Sequence, residues 1–516
     1  MKSITRLALA SSCAFGFGGL ALPAFAVTGA EVLENTCSAC HVTGDDGKID
    51  RIDSVRKTPE GWDMTVTRMI RNHNVGLTDE ERVAVVRHLV NTRGLSLVEA
   101  EAYRYILERE PTASDTGPDQ LMTETCSRCH SYARVALQRR TPQDWEHLIN
   151  FHLGQFPTLE YQALARDRDW WGIAQTEILA YLSKTYPLGE APAAMDRDLS
   201  GNYVLAGRQP GQQGDYTGSL TLAKDGEDYT VEMVLNGASA RKFTGTGRLM
   251  GPGEWRATLS DGTTVIRQIF TVSDSGTISG RWHDAKYDVI GGRITALPEG
   301  AEAQVIAVTP PRLKIGEATT VQVAGIGLGD QLTLPEGVTG EITGTTPTGV
   351  TLSLTAAGDP RALEIGLGGH AVHLAAFVTP DRISVVPELT LARVGDGGGP
   401  IPKVPAQFEA KGWLNGPDGQ PATEDDIALG YFPATWTLDN FDAAAVQMKD
   451  IDFAGGIDAN GLFTPADAGP NPDRPMMTNN LGNLKVIATV AEGGQTLTGE
   501  AHLYSTVQRF VDAPIR

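Results

Sequence analysis

Two short stretches of the chain share a pattern that carries chemistry. Cys37-Ser38-Ala39-Cys40-His41 and Cys126-Ser127-Arg128-Cys129-His130 are both C-x-x-C-H, the attachment pattern of c-type haem. The spacing follows from the reaction. Two thiols add across the two haem vinyl groups, and two intervening residues let one helical turn bring both sulfurs to the ring edge. The next residue, histidine, then lies under the iron as proximal ligand. A zinc knuckle, a thioredoxin-like redox pair or two disulfides are the competing uses of four cysteines. Zinc sites usually keep further ligands elsewhere, and a redox pair needs no following histidine. Two copies, each ending in His, favour two covalently bound haems.

The elements around the motifs form an internal repeat. Thr58-Pro59-Glu60-Gly61-Trp62 follows the first motif and Thr141-Pro142-Gln143-Asp144-Trp145 the second. Each predicts a helix with Thr as N-cap and Pro at its first position. A further helix closes each copy, one capped by Thr78-Asp79-Glu80-Glu81 and running to about Asn91, the other from Asp169 to about Lys184. On the first aligned helix Trp62, Val66, Met69 and Ile70 share a face; on the second, Trp145, Ile149, His152 and Leu153 do. Met69 and His152 are therefore equivalent, and they are the candidate sixth ligands of the first and second iron. Core packing is the alternative for each. Met64 and His147 are also equivalent but point away. His73 and His147 are reserve candidates, and His88 is expected to be exposed. Thioether ligation raises an iron potential and bis-imidazole ligation lowers it, so the two haems would be unequal. Arg68, Arg71, Arg128, Arg134, Arg139 and Arg140 cluster near the haem segments; some are candidates for haem propionates, but taken singly each is expected on the solvated surface.

The chain begins as a secretory signal peptide. Lys2 and Arg6 precede the uncharged run Leu7 to Leu22, and Ala24-Phe25-Ala26 offers a cleavage site after Ala26. The run is short for a membrane span. Export to a bacterial periplasm is expected, with no membrane span after cleavage. The whole chain has 516 residues and a net charge of -20, which disfavours nucleic acid as a partner. Its length predicts three or four domains, and 58 Gly with 29 Pro favour turn-rich β structure.

Past about Pro192 the texture is β. Ser219–Leu222, Tyr229–Met233, Thr264–Ile269 and Lys286–Ile290 read as strands, separated by hairpin signals at Asp225-Gly226, Asn236-Gly237 and Asp261-Gly262. About eight strands make an up-and-down barrel or a sandwich. Gln304 to about Ser384, with Pro310-Pro311 and Thr319–Val323, reads as an Ig-like sandwich without a disulfide. The rest has a Gly/Pro-rich stretch, Gly395–Pro405, strands at Ala434–Thr437 and Val486–Val490, and a long loop, Pro465–Asn483. Such loops often bind partners, though a plain surface loop is the simpler alternative. His283, His370, His373 and His502 are scattered, and the His370-x-x-His373 pair lacks a carboxylate or Cys partner. The expected fold is multidomain α plus all-β: signal peptide 1–26, tandem dihaem cytochrome c helical domain 27–192 (repeats 27–110 and 111–192), antiparallel β-barrel 193–300, and Ig-like β-sandwiches 301–384 and 385–516.

This order of parts resembles the α subunit of quinohaemoprotein amine dehydrogenase over the whole mature chain. The most specific stretches are Cys126–Arg134 and Phe463-Thr464-Pro465-Ala466-Asp467-Ala468-Gly469-Pro470-Asn471-Pro472, with Asn479-Asn480 after it. The resemblance implies a three-subunit periplasmic oxidoreductase acting on primary amines. A separate small subunit would carry a cysteine tryptophylquinone, and a third would be a β-propeller. This chain would pass electrons from the quinone to a soluble acceptor, a blue copper protein or a cytochrome c. The resemblance also implies one His/Met and one bis-His haem, held by Cys37, Cys40, His41 and Met69, and by Cys126, Cys129, His130 and His152. It puts no amine-chemistry residue on this chain. A free-standing dihaem enzyme such as a peroxidase, with an open iron, and a non-enzymatic haem-bearing binding protein are the rival readings.

Overall fold

The computed structural model describes residues 27–508 except 114, 116, 128, 156–168 and 212. The expected signal peptide, 1–26, and Arg128 lie outside the described residues.

The N-terminal region is helical and repeats itself. Its first half holds α1 (Gly29–Asn35), β1 (Val55–Lys57), α2 (Pro59–His73) and α3 (Asp79–Arg93), then the short α4 (Leu97–Glu101) and α5 (Arg104–Leu107). Its second holds α6 (Gln120–Thr125), α7 (Ala133–Ala136), β2 (Gln138–Arg140), α8 (Pro142–Gln155), α9 (Trp170–Ile173), a π turn and α10 (Leu179–Thr185). The caps are those expected. Thr58 accepts from Gly61 N at 3.2 Å, and Thr141 accepts from Asp144 N at 3.1 Å. Trp62 and Trp145 are both buried and anchor separate apolar clusters. Each indole donates to a carbonyl at the end of its repeat's closing helix: Trp62 to Arg93 at 3.0 Å, Trp145 to Tyr186 at 3.1 Å. Equivalent strands join the halves. β1 and β2 pair antiparallel, with Val55 opposite Arg140 and Lys57 opposite Gln138.

Next comes a closed eight-stranded barrel: β3 (Gly201–Gln209), β4 (Gly214–Asp225), β5 (Asp228–Asn236), β6 (Ala240–Met250), β7 (Glu254–Ser260), β8 (Val265–Val272), β9 (Ile278–Asp284) and β10 (Gly291–Pro298), with β10 closing on β3. Trp255, Trp282, Phe243, Phe270 and three buried tyrosines fill its core. Their few polar atoms are paired, as Trp282 Nε1 donates to Tyr216 Oη and Tyr216 Oη to the Arg293 carbonyl, both at 2.9 Å. One expected strand is absent: Lys286–Ile290 is a turn. The Asp284 carboxylate accepts from Lys286 N at 2.7 Å and Tyr287 N at 2.8 Å, and this side-chain capture ends β9 before the apolar alternation begins.

Ion pairs, most of them buried, fix the barrel against the helical region. Arg104 reaches Glu254 at 2.7 Å, Arg256 bridges Glu254 and Glu60, and Arg293 meets Glu108. Arg281 donates to the carbonyls of Glu108 and Arg109.

The third unit stacks two four-stranded sheets. One joins β11 (Gln304–Thr309), β13 (Ala318–Ile326), β16 (Gly349–Ala356) and β15 (Val338–Thr346). The other joins β12 (Arg312–Lys314), β18 (His370–Phe377), β17 (Arg361–Leu367) and β14 (Leu332–Thr333). The last unit is more elaborate than a two-sheet sandwich. Besides β19 (Arg382–Val386), β22 (Glu409–Leu414) and β23 (Ile427–Phe432), it has a four-stranded sheet of β20 (Leu389–Arg393), β28 (Gln495–Thr506), β27 (Gly482–Glu492) and β24 (Thr435–Asn440). A small third sheet holds β21 (Ala406–Gln407), β26 (Leu462–Pro465) and β25 (Gly455–Ile457), and two short helices, α11 (Ala443–Met448) and α12 (Asp450–Phe453), precede β25.

Candidate functional site

Each C-x-x-C-H motif follows a short helix. After α1 a single 3-10 turn carries Cys37, whose carbonyl accepts from Cys40 N at 3.1 Å and His41 N at 2.9 Å. That turn leaves Cys37 half-buried against the Trp62 cluster and Cys40 exposed. In the second repeat Cys126 continues α6, its N–H donating to the Met122 carbonyl at 2.9 Å. Cys126 is half-buried and Cys129 exposed. Burial pushes the Cys37 thiol up and the Cys126 thiol up to about 11.

The histidines are set by backbone carbonyls. His41 Nδ1 lies 3.0 Å from the Asp50 carbonyl, and the loop between Val42 and Asp50 folds back to present it. His130 Nδ1 lies 2.9 Å from the Ser131 carbonyl, and the backbone beyond it is pinned by Asp115, which accepts from Tyr132 N at 2.9 Å and Ala133 N at 3.3 Å. On α8, His152 Nδ1 lies 2.7 Å from the Leu148 carbonyl. Assigning the proton to Nδ1 in each leaves Nε2 as the lone-pair nitrogen, the tautomer a metal-binding imidazole needs. Burial lowers the proton affinity of His130 and His152.

The His130 and His152 rings face each other with centroids 6.4 Å apart and planes 37° apart. Metal–imidazole bonds of roughly 2 Å, with a ring centre about 1 Å behind each nitrogen, put two axial imidazoles on one metal about 6 Å apart. The donor set of the second repeat, two thiols and two facing imidazoles, thus fits a c-type haem. In the first repeat the candidate partner of His41 is a thioether. Met69 lies half-buried one turn before the end of α2, outside the apolar cluster that takes in its neighbour Ile70. His73 and His147 are exposed. His88 is half-buried rather than exposed, because Gly29 lets α1 close on α3: a Cβ at Gly29 would stand 2.5 Å from that of His88.

The arginines near the haem segments depart from expectation. Arg139 and Arg140 are buried, and so are Arg56 and Lys57; Arg68 and Arg134 are half-buried, and Arg71 is exposed. The cause is the β1–β2 pairing, which a local reading misses. The signal was the cationic pair just before each Thr-Pro helix start: Arg56-Lys57 and Arg139-Arg140.

Elsewhere the scattered histidines stay apart. His283 is buried in the barrel wall, and burial pushes it down to about 4. His502 stacks on Phe441 at 3.6 Å. His373 does have a carboxylate opposite, Glu364 at 3.6 Å across the β17–β18 ladder, but both are exposed. Among the described residues no cluster of three or more His, Cys, Asp or Glu could hold a metal ion, and no helix is long and apolar enough to cross a membrane.

Four family models match the chain in order. Residues 27–192 match the haem-binding model of the quinohemoprotein amine dehydrogenase alpha subunit, 196–299 its domain II, 302–378 its domain III and 383–515 its domain IV. No curated protein matches the chain. Solved structures with some similarity include Drosophila N-cadherin EC1-4, at 10% identity over 61% of this chain and 94% of that one, with a TM-score of 0.15. A SusE-like polysaccharide-binding protein from Bacteroides thetaiotaomicron has the same identity, share of this chain and TM-score, with 70% of its own chain covered. Likeness at that level carries no argument. The models carry it: the chain belongs to the quinohemoprotein amine dehydrogenase alpha subunit family.

Proposed function

We propose that this chain is the electron-relay subunit of a periplasmic amine dehydrogenase, with two covalent haem c groups in residues 27–192. Haem bound at each motif supplies a one-electron iron couple. In this reading Cys37 and Cys40 anchor the first haem and Cys126 and Cys129 the second. His41 and Met69 would hold one iron, His130 and His152 the other. The backbone carbonyls of Asp50, Ser131 and Leu148 hold the imidazoles in the ligating tautomer. With two protein side chains committed to each iron, neither centre would offer a place for a substrate, which suits relay rather than catalysis at iron. The electrons come from a cysteine tryptophylquinone on a separate small subunit, reduced by deamination of a primary amine, and leave to a blue copper protein or a cytochrome c. A β-propeller subunit completes the complex. The β-barrel at about 193–300 and the β units at 301–384 and 385–516 are the framework on which these partners assemble.

The observation that carries this reading is the facing of His130 and His152 at 6.4 Å within the segment matched by the family's haem-binding model. The test is to purify the native chain from periplasm through a C-terminal tag and stain a denaturing gel for quinone by redox cycling. A small quinone-positive band accompanying a haem-positive chain is expected, and a primary amine should then reduce the haems. A haem-loaded chain that runs alone, without a quinone partner, would remove the donor and sink the reading.

A further inference from the structure

The β1–β2 ribbon places four cations side by side: Arg56 and Lys57 on one strand, Arg139 and Arg140 on the other. Strand alternation sorts them onto two faces. Arg56 and Arg139 share one face, and it is compensated: Glu99 lies 2.7 Å from Arg56 and 3.2 Å from Arg139. Carbonyls of Gly94 and Leu188 take further bonds from Arg56. Lys57 and Arg140 share the other face, and there the balance fails. Arg140 pairs with Asp144. Lys57 is buried, and among the described residues its ammonium meets the Thr65 hydroxyl at 2.6 Å and the Trp62 ring. Arg68 from α2 comes up to this face over the Phe151 ring, and Arg134 from α7 touches the Met64 sulfur at 3.6 Å. Among the described residues neither arginine, nor Lys57, has a carboxylate partner within ion-pair distance.

Among the described residues the face therefore holds four cations against the carboxylate of Asp144. A buried charge persists only when paired. Lys57 registers the excess: burial, then Arg140 and Arg68, push its ammonium well below its usual range. The position of the face says what completes it. Arg68 immediately precedes Met69, and Phe151 beneath it immediately precedes His152. The excess charge thus lies beside the helix turns that carry the candidate sixth ligands of the two repeats.

We infer that Lys57, Arg68, Arg134 and Arg140 form one anion seat that receives haem propionate carboxylates from both repeats. This rests on the dihaem reading above. Guanidinium takes a carboxylate with paired N–H donors, and Lys57 adds a point charge beneath them. The seat gives the four residues a positioning role. It favours the reduced, more negative form of each haem, because a fixed cation opposes the loss of an electron.

The test uses the haem-loaded full chain, with K57M, R68Q and R134Q, and with R87Q as control; Arg87 is paired with Glu227 and Asp228, away from this face. Intact mass gives the number of covalent haems, and spectroelectrochemical titration their potentials. Each seat variant should retain two haems, and at least one should be harder to reduce. At fixed ambient potential its reduced-to-oxidised ratio should fall at least about tenfold, about 59 mV for one electron. R87Q should not move, and R134K, which keeps the charge, should stay near the parent. Two haems with unmoved potentials in all three seat variants would overturn the seat alone; a parent chain without covalent haem would overturn both the seat and the dihaem reading. A parent potential that follows added phosphate or citrate at constant ionic strength would give the seat to a free anion and overturn the propionate assignment. If R134Q loads no haem, K57M and R68Q decide the matter.

Discussion

Replacing Glu254 by Gln should loosen the barrel from the helical region. Glu254 is 2% exposed and lies between two guanidinia, Arg104 at 2.7 Å and Arg256 at 2.9 Å. The amide keeps the shape and removes the charge. Two charge-assisted contacts at about 1.5–3 kcal/mol each put the loss near 3–6 kcal/mol. Removing one member of a buried ionic group independently suggests about 3–5 kcal/mol. Arg256 retains Glu60, and Arg104 retains Glu108 at 3.7 Å, which argues for the lower end. For an unfolding unit of roughly 100 residues, about 3 kcal/mol lowers the melting temperature by about 12 °C or more. Calorimetry on the haem-loaded chain reads this as an earlier transition. The difference should also depend on pH. Burial raises the Glu254 carboxyl, but Arg256 and Arg104 outweigh it and hold it below the usual range. Its contribution is then complete above about pH 4.3, the ordinary glutamate value, and is lost as pH falls through the lower folded value. The parent and E254Q melting curves should converge on acidification. A drop under about 4 °C at neutral pH, less than about 1 kcal/mol, would refute the claim that this ionic cluster secures the interface.

Three further outcomes are expected. H152A should load haem and, once reduced, bind carbon monoxide at one of its two haems, whereas the parent binds none; an unchanged spectrum removes His152 from the ligand set. Y216F takes away both the acceptor of Trp282 and the donor to the Arg293 carbonyl, so it should destabilise by about 1–3 kcal/mol in a thermal melt, without altering the haem spectrum. His283 is held neutral by burial, down to about 4, so the parent should lose stability as pH falls from about 6.5 through that value. H283N should show a shallower decline over the same range, and parallel curves would show that His283 is not the group responsible.

What was legible in the chain was local. The C-x-x-C-H turns, the Thr-Pro helix starts and the tryptophan that follows each are written within a few residues, and so are the hairpin turns around Gly226 and Gly262. The helical face of Met69 and His152 could be read because both helices start from the same cap. Juxtaposition across the chain was not legible. Nothing near Lys57 announces Arg140, since only strand pairing between the repeats joins them, and it turns residues expected in solvent into buried ones. His88 was misjudged for a related reason: a glycine at position 29 lets one helix close upon another. The Lys286–Ile290 turn shows a single side chain, Asp284, overruling an apolar pattern. The third sheet of the last unit rests on strands as short as Ala406–Gln407, which no periodicity marks.

The two kinds of β unit differ in when they can be finished as the chain is made. Each barrel strand pairs with the one synthesised just before it, and only the β10–β3 contact closes over distance. The barrel is therefore complete once Pro298 has appeared, by steps that each span a short loop. The last unit is ordered otherwise. Its early strand β20 pairs with β28, Leu389 opposite His502, and β28 also fills the place beside β27. Until Gln495–Thr506 exists, β20 and β27 both present unpaired ladders, the surfaces on which incomplete chains associate. A stop before β28 thus leaves a finished barrel attached to an adhesive remnant, and quality control must watch the end of synthesis rather than its middle.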